Sequence, residues 1–160
     1  MKKFILFNHK FCNLFIAEEN GVICDVSFKK DKITSDYEKD ETKILKETIK
    51  QLGEYFDKKR KNFNLPISLH GTDFQIKVWN ALKKIPYGET CSYTQLAAAI
   101  GNPKACRAVG MANNKNPAAI IIPCHRVIGS NGSLTGYAGG LEIKKRLLDL
   151  EKTNYAAQPK

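Results

Sequence analysis

The sequence predicts an α+β fold in two parts: a small N-terminal α/β domain with its linker over residues 1–70, and a mostly helical domain over 71–152. A tail at 153–160 completes the expected layout. Three observations carry this. Early apolar residues come in short runs parted by Glu19-Asn20-Gly21, and Asn-Gly between two such runs signals a hairpin because both residues tolerate positive φ. From Thr72 onward apolar residues recur at helical spacing instead. A chain of 160 residues suffices for one domain or two small ones sharing a core.

Taken in order, residues 4–7 read as a first strand and 13–17 and 22–28 as the hairpin. Residues 29–43 form a charged connection. A helix follows, with Ile44, Leu45, Thr48, Ile49, Leu52, Tyr55 and Phe56 on one face. Lys58-Lys59-Arg60-Lys61 reads as its solvated end, complementing the carbonyl pole. Residues 62–70, with Pro66, are an extended linker carrying one short strand. Thr72-Asp73-Phe74-Gln75 fits a capping box, and Phe74, Val78, Leu82 and Ile85 make an apolar stripe ending at Pro86-Tyr87-Gly88. Residues 92–100 and 104–114 are short helices joined across Gly101-Asn102-Pro103, a helix-turn-helix candidate. Asn113 to Pro117 breaks the second helix before the run Ile120-Ile121-Ile122. Residues 129–140 are a glycine-rich loop with neither the P-loop lysine pattern nor a GxGxxG after a strand, which leaves a substrate lid or a wing. Residues 141–151 close the fold as a helix with Ile143, Leu147 and Leu150 inward, and the tail frays.

Composition narrows the function. The chain is 42% hydrophobic and 26% charged, without an apolar run of membrane-spanning length. Its start, Met1 to Asn8, meets a polar residue too early for a signal peptide, so a cytoplasmic protein away from membranes is expected. Five cysteines, an odd number without a CxxC pair, argue against a disulfide framework and suit a reducing compartment. Up to His70 there are 14 basic and 11 acidic residues, and from Gly71 onward 12 and 5. No acid lies between Glu89 and Glu142, a window holding Lys104, Arg107, Lys115 and Arg126. Such a window suggests a polyanionic partner; a solvated lysine-rich face is the plainer account of the N-terminal half.

The chemistry centres on Pro123-Cys124-His125-Arg126-Val127. A thiolate is the nucleophilic form of cysteine; a neighbouring imidazole or cation favours it and apolar burial opposes it. Cys124 has three isoleucines before it and His125-Arg126 after it, so the residues alone allow either a buried structural cysteine or a nucleophile.

This segment resembles the active-site signature of the O6-alkylguanine-DNA alkyltransferases. Ile85-Pro86-Tyr87-Gly88-Glu89-Thr90, Gly101-Asn102-Pro103-Lys104, Arg107-Ala108-Val109-Gly110, Asn116-Pro117 and Tyr137-Ala138-Gly139-Gly140-Leu141 resemble the family in the same order and spacing. The resemblance is close over Gly71 to Glu151 and architectural before it. It implies an N-terminal domain with an RNase H-like antiparallel sheet and a winged-helix-like C-terminal domain. It further implies a monomer that repairs double-stranded DNA by irreversible, single-turnover transfer of a methyl or small alkyl group. The group leaves O6 of guanine, or O4 of thymine, for Cys124, and no cofactor is needed.

For individual residues, the resemblance makes His125, oriented by Glu151 and acting through a water, the base that holds a thiolate–imidazolium pair. It makes Asn116 the brace of the active-site turn and Tyr93 the donor to the guanine ring. Val127, Ala138, Lys144 and the Cys124 amide fall at substrate contacts. Arg107 matches the arginine that enters the stack when the nucleotide is flipped out. Ala105, Ala108, Gly110 and Ala112 would let the helix approach the minor groove, with Lys104 and Lys115 at phosphates. Two departures stand out: Ala138 where some members have serine, and Ala119 in place of a proline that vertebrate members pack against benzyl groups, which favours small alkyl substrates. Some members bind zinc in the N-terminal domain, but Cys12, Cys24, His9 and His70 have no zinc spacing, so no metal is expected. Two other classes compete. Non-repairing relatives that bind alkylated DNA lack the nucleophilic cysteine, and a thiol hydrolase would not place cysteine and histidine side by side.

Overall fold

Asn20 and Gly21 take φ of 55° and 80° and close the expected two-residue hairpin between β2 (Asn13–Glu19) and β3 (Val22–Ser27). The computed structural model describes residues 1–28 and 33–156; residues 29–32 of the expected connection and 157–160 of the expected tail lie outside them. The chain divides into two units, Met1–Leu69 and His70–Lys160.

In the first unit the strand order is β3-β2-β1-β4, with β1 (Lys2–Asn8) antiparallel to β2. β4 (Tyr37–Lys39) pairs parallel to β1, so the sheet is mixed where an antiparallel one was expected. Three residues are too few to show the alternation by which a strand is read from sequence, and β4 falls inside the stretch expected to be a plain connection. α1 (Lys43–Phe56) starts at Thr42, whose hydroxyl accepts from the Leu45 amide at 3.4 Å. It packs on β1, β2 and β3 and buries Leu45, Leu52 and Tyr55 completely. The short strand expected near Pro66 reduces to one parallel bridge between Ile23 and Ile67.

The second unit is built from α2 (Asp73–Leu82), β5 (Cys91–Ser92), α3 (Tyr93–Ala99), α4 (Cys106–Asn114), β6 (Val127–Ile128) and α5 (Leu141–Ala156). The capping box of Thr72 and Gln75 is formed in both directions, and Ser92 and Gln95 form a second one that starts α3. α2 turns Trp79 inward beside Val78 and Leu82, and the indole N–H donates to the Ala112 carbonyl at 2.9 Å, tying α2 to α4. β5 and β6 pair in parallel, Cys91 with Val127 and Ser92 with Ile128. This ladder sets the first residue of α3, Tyr93, beside the chain leaving Cys124. α4 begins at Cys106, later than expected, so Lys104 and Ala105 lead into the helix without being part of it. α5 runs on to Ala156, so the expected tail is helical through its first four residues.

Candidate active site

The run before Cys124 forms a braced turn. Asn116 Oδ1 accepts from the Ala118 amide at 2.9 Å, and its Nδ2 donates to the Ile122 carbonyl at 2.7 Å, spanning the turn from inside. The Ile122 amide closes on the Ala118 carbonyl at 2.8 Å, and between them Ile120 sits at φ 72°. Positive φ is a strained conformation for a β-branched residue, costing on the order of 1–3 kcal/mol. The buried Ile120 side chain and the Asn116 brace hold it there. After Pro123, Cys124–Arg126 make one 3₁₀ turn. From α4, Asn113 Nδ2 reaches the Cys124 carbonyl at 3.4 Å.

Burial dominates the electrostatics. Cys124 is 5% exposed, and burial pushes its thiol up to about 11, with the Asn116 amide, the Lys144 ammonium and the Tyr137 hydroxyl pulling the other way. His125 is fully buried, its Nε2 lying 2.6 Å from Glu151 Oε2. A carboxylate can only accept, so the proton sits on Nε2 and Nδ1 is left as an acceptor. Nδ1 has no hydrogen-bond partner among the described residues. Burial lowers the imidazole's affinity for a second proton. Burial alone would raise the Glu151 carboxyl, but hydrogen bonds and charge from His125 and Arg126 outweigh it and bring it down to about 2.

Arg126 adds to the larger effect of His125. Its Nε and Nη2 grip the two Glu151 oxygens at 2.8 and 3.0 Å, its Nη1 donates to the Ile85 carbonyl at 2.7 Å, and the guanidinium lies 5.6 Å over the Tyr87 ring. This bidentate pair is buried, so Arg126 leaves the basic surface on which the charge count places it. Burial thus works against the charged forms of Cys124 and His125, while Glu151 and Arg126 hold their charges against each other. The thiolate–imidazolium pair that the resemblance implies has to form against this burial.

The remaining expected site residues fall into two groups. Around the glycine-rich loop, the Tyr93 hydroxyl and the Lys144 ammonium donate to the same Thr135 carbonyl, at 3.1 and 2.8 Å. Lys144 is fully buried, 5.9 Å above the Tyr93 ring, and burial lowers its ammonium. Ala138 is exposed on this loop, and Val127 is buried in β6. Along α4, Arg107 and Ala108 are exposed, as are Lys104 before it and Lys115 after it. Ala105 is half-buried, and Gly110 faces inward, where a Cβ would come within 3.8 Å of the Tyr93 ring. That is an ordinary contact distance, so Gly110 packs against Tyr93 without its being required to be glycine. Asn113 and Trp79 are the site-bracing residues that the sequence does not reveal.

The comparisons agree with this geometry. Residues 73–153 match the model of the "6-O-methylguanine DNA methyltransferase, DNA binding domain" and residues 3–69 that of its "ribonuclease-like domain". A methylated-DNA--protein-cysteine methyltransferase of Methanosarcina barkeri is 59% identical over 112 residues, 70% of this chain and 71% of the relative. The constitutive one of Bacillus subtilis is 50% identical over 149 residues, 89% of this chain and 90% of the relative. The crystal structure of Mycobacterium tuberculosis OGT in complex with DNA superposes with a TM-score of 0.88 at 42% identity, covering 96% of this chain and 93% of that one. With both halves matched and the cysteine turn, its brace and its buried charge relay in place, the chain belongs to the 6-O-methylguanine DNA methyltransferase family.

Proposed function

We propose that this chain repairs DNA by direct, single-turnover transfer of a methyl or small alkyl group from O6 of guanine, or O4 of thymine, to Cys124. The observation that carries the reading is the buried Cys124 turn joined to His125, Glu151 and Arg126, with one imidazole nitrogen left to accept a proton. Burial holds the Cys124 thiol above its ordinary range, up to about 11, so the thiolate is disfavoured before substrate arrives. The base must therefore act during the reaction. His125 Nδ1 takes the thiol proton, through a bridging water as the family resemblance implies, while Glu151 holds the ring and offsets the imidazolium that forms. Sulfur attacks the alkyl carbon in line; the S–C bond forms as the C–O bond breaks, and its electron pair passes into the purine. Tyr93 offers its hydroxyl to the base that leaves, and Val127, Ala138 and Lys144 line the place it occupies. Arg107 fills the stack when the nucleotide is extruded, a step needed because the alkyl carbon is out of reach inside a duplex. Lys104 and Lys115 sit at phosphates, with Ala105 and Ala108 allowing the approach. The product is a thioether that nothing in the site can cleave, so each molecule acts once.

The chain's own side chains supply every step, without a cofactor. Among the described residues no helix is long and apolar enough to cross a membrane. Cys24, Cys91, Cys106 and Cys124 are free thiols, which supports a reducing, cytoplasmic setting, and we read the working unit as a monomer on double-stranded DNA. Intact-mass spectrometry with peptide mapping, after incubation with a duplex holding one O6-methylguanine, tests the reading. One methyl on Cys124, saturating at one per chain and absent in Cys124→Ala, is expected. A chain that binds this duplex without changing mass would overturn the catalytic assignment and leave a DNA-binding protein.

A further inference from the structure

Among the described residues, Met111 is a large apolar side chain that folding leaves 60% exposed in the middle of a helix. It has a defined setting. On α4, Val109, Ala112 and Asn113 are buried, whereas Arg107, Ala108, Met111 and Lys115 at its end are exposed. Arg107, Met111 and Lys115 follow at four-residue steps, so they lie along one stripe with the methionine between two cations. Met111 itself lines a shallow depression with Thr72, Phe74, Gln75 and Ala108. No acidic residue lies on α4 or anywhere between Glu89 and Glu142.

A solvated helix face needs no apolar residue at its centre, and folding leaves most of Met111 in water. Against DNA the residue type becomes useful. Methionine is unbranched and polarizable and adapts to irregular apolar surfaces. The floor and walls of a minor groove are such a surface, made of sugar and base edges, and proteins that enter it press apolar side chains against the steps. Of the flanking cations, Lys115 matches a phosphate and Arg107 the stack that it enters.

We infer that Met111 is a DNA-contacting residue, an apolar finger one helical turn beyond Arg107 that presses into the minor groove and sets how tightly the duplex is held. This rests on the DNA-repair reading above and adds to it a residue of the exposed α4 surface. The contact removes apolar area from water and releases no counterions, so its signature differs from that of a cation.

Fluorescence anisotropy of the full chain with an undamaged labelled duplex, in which no transfer occurs, reads binding alone across a series of salt concentrations. Met111→Ala is expected to bind about fivefold more weakly at every salt concentration, leaving the slope of log affinity against log salt unchanged and the melting temperature unaltered. Lys115→Ala is expected to reduce that slope by about one. Met111→Glu, which sets a carboxylate against phosphate, weakens binding further than alanine does. If Met111→Ala binds as tightly as the wild type while Lys115→Ala loses affinity, or if it changes the salt slope, the assignment is overturned and the DNA reading stands. A wild-type chain that does not bind duplex at all overturns both.

Discussion

Glu151 does two things at once: it fixes the His125 tautomer by accepting from Nε2, and it neutralises Arg126 through both oxygens. Glu151→Gln keeps the size, removes the charge and leaves a buried guanidinium without its anion. Breaking one side of a buried pair costs about 3–5 kcal/mol, so the variant is expected to fold with much reduced stability. It should also transfer methyl at least about tenfold more slowly at saturating duplex, because an imidazolium beside an amide is no longer offset. Denaturant titration and single-turnover transfer read the two effects separately. A variant that loses stability and keeps the wild-type transfer rate would make Glu151 structural only. At this scale the sequence was half legible. Cys124 and His125 announce themselves by adjacency, whereas Glu151 is 25 residues from Arg126 and is reached only through the family resemblance. Arg126 is misread from sequence because an arginine in a basic window defaults to solvent. Asn113 and Trp79 are invisible there because each is held by a backbone carbonyl, which any residue could supply.

At the scale of elements, α3 owes its position to its start. Ser92 closes the β5–β6 ladder with one side of its backbone and caps α3 with its hydroxyl, which accepts from the Gln95 amide at 3.0 Å. Tyr93 is the next residue, so the cap fixes the point from which the tyrosine reaches Thr135. Ser92→Ala is expected to cost about 1 kcal/mol of stability by urea titration and to slow transfer from duplex DNA. Ser92→Asp, which can cap and suits a helix N-terminus, restores both. If aspartate restores stability and the transfer rate stays low, Tyr93 placement is not what the cap supplies. The long elements were readable because periodicity accumulates over them: α1, α2 and the hairpin appear where spacing and turn chemistry put them. β4, β5 and β6, of three, two and two residues, carry no period. The turn at 116–124 looks like a strand by composition and becomes a turn through Asn116 and the left-handed Ile120, a conformation no local rule assigns to isoleucine.

At the scale of the whole molecule, the buried relay makes the native state acid-sensitive. His125 has its proton affinity lowered below the ordinary 6.5, so the unfolded chain binds more protons as pH falls past 6.5 and stability declines from there. Glu151, brought from 4.5 to about 2, contributes stability that is fully present above pH 4.5 and is lost as pH falls toward 2. That second step is worth on the order of 3 kcal/mol. Both act in one direction, so the unfolding midpoint should fall steadily from neutral pH downward. Trp79, the single tryptophan and 2% exposed beside α4, reports unfolding of the helical unit by fluorescence. A net charge of +10 at neutral pH would also destabilise the chain in acid, through repulsion as carboxylates are protonated. Glu151→Gln separates the two causes: repulsion persists in the variant, whereas the relay's share of the loss between pH 4.5 and 2 disappears. A wild type and a variant whose midpoints fall in parallel through that range would show that global charge, not the Glu151 relay, sets the acid limit.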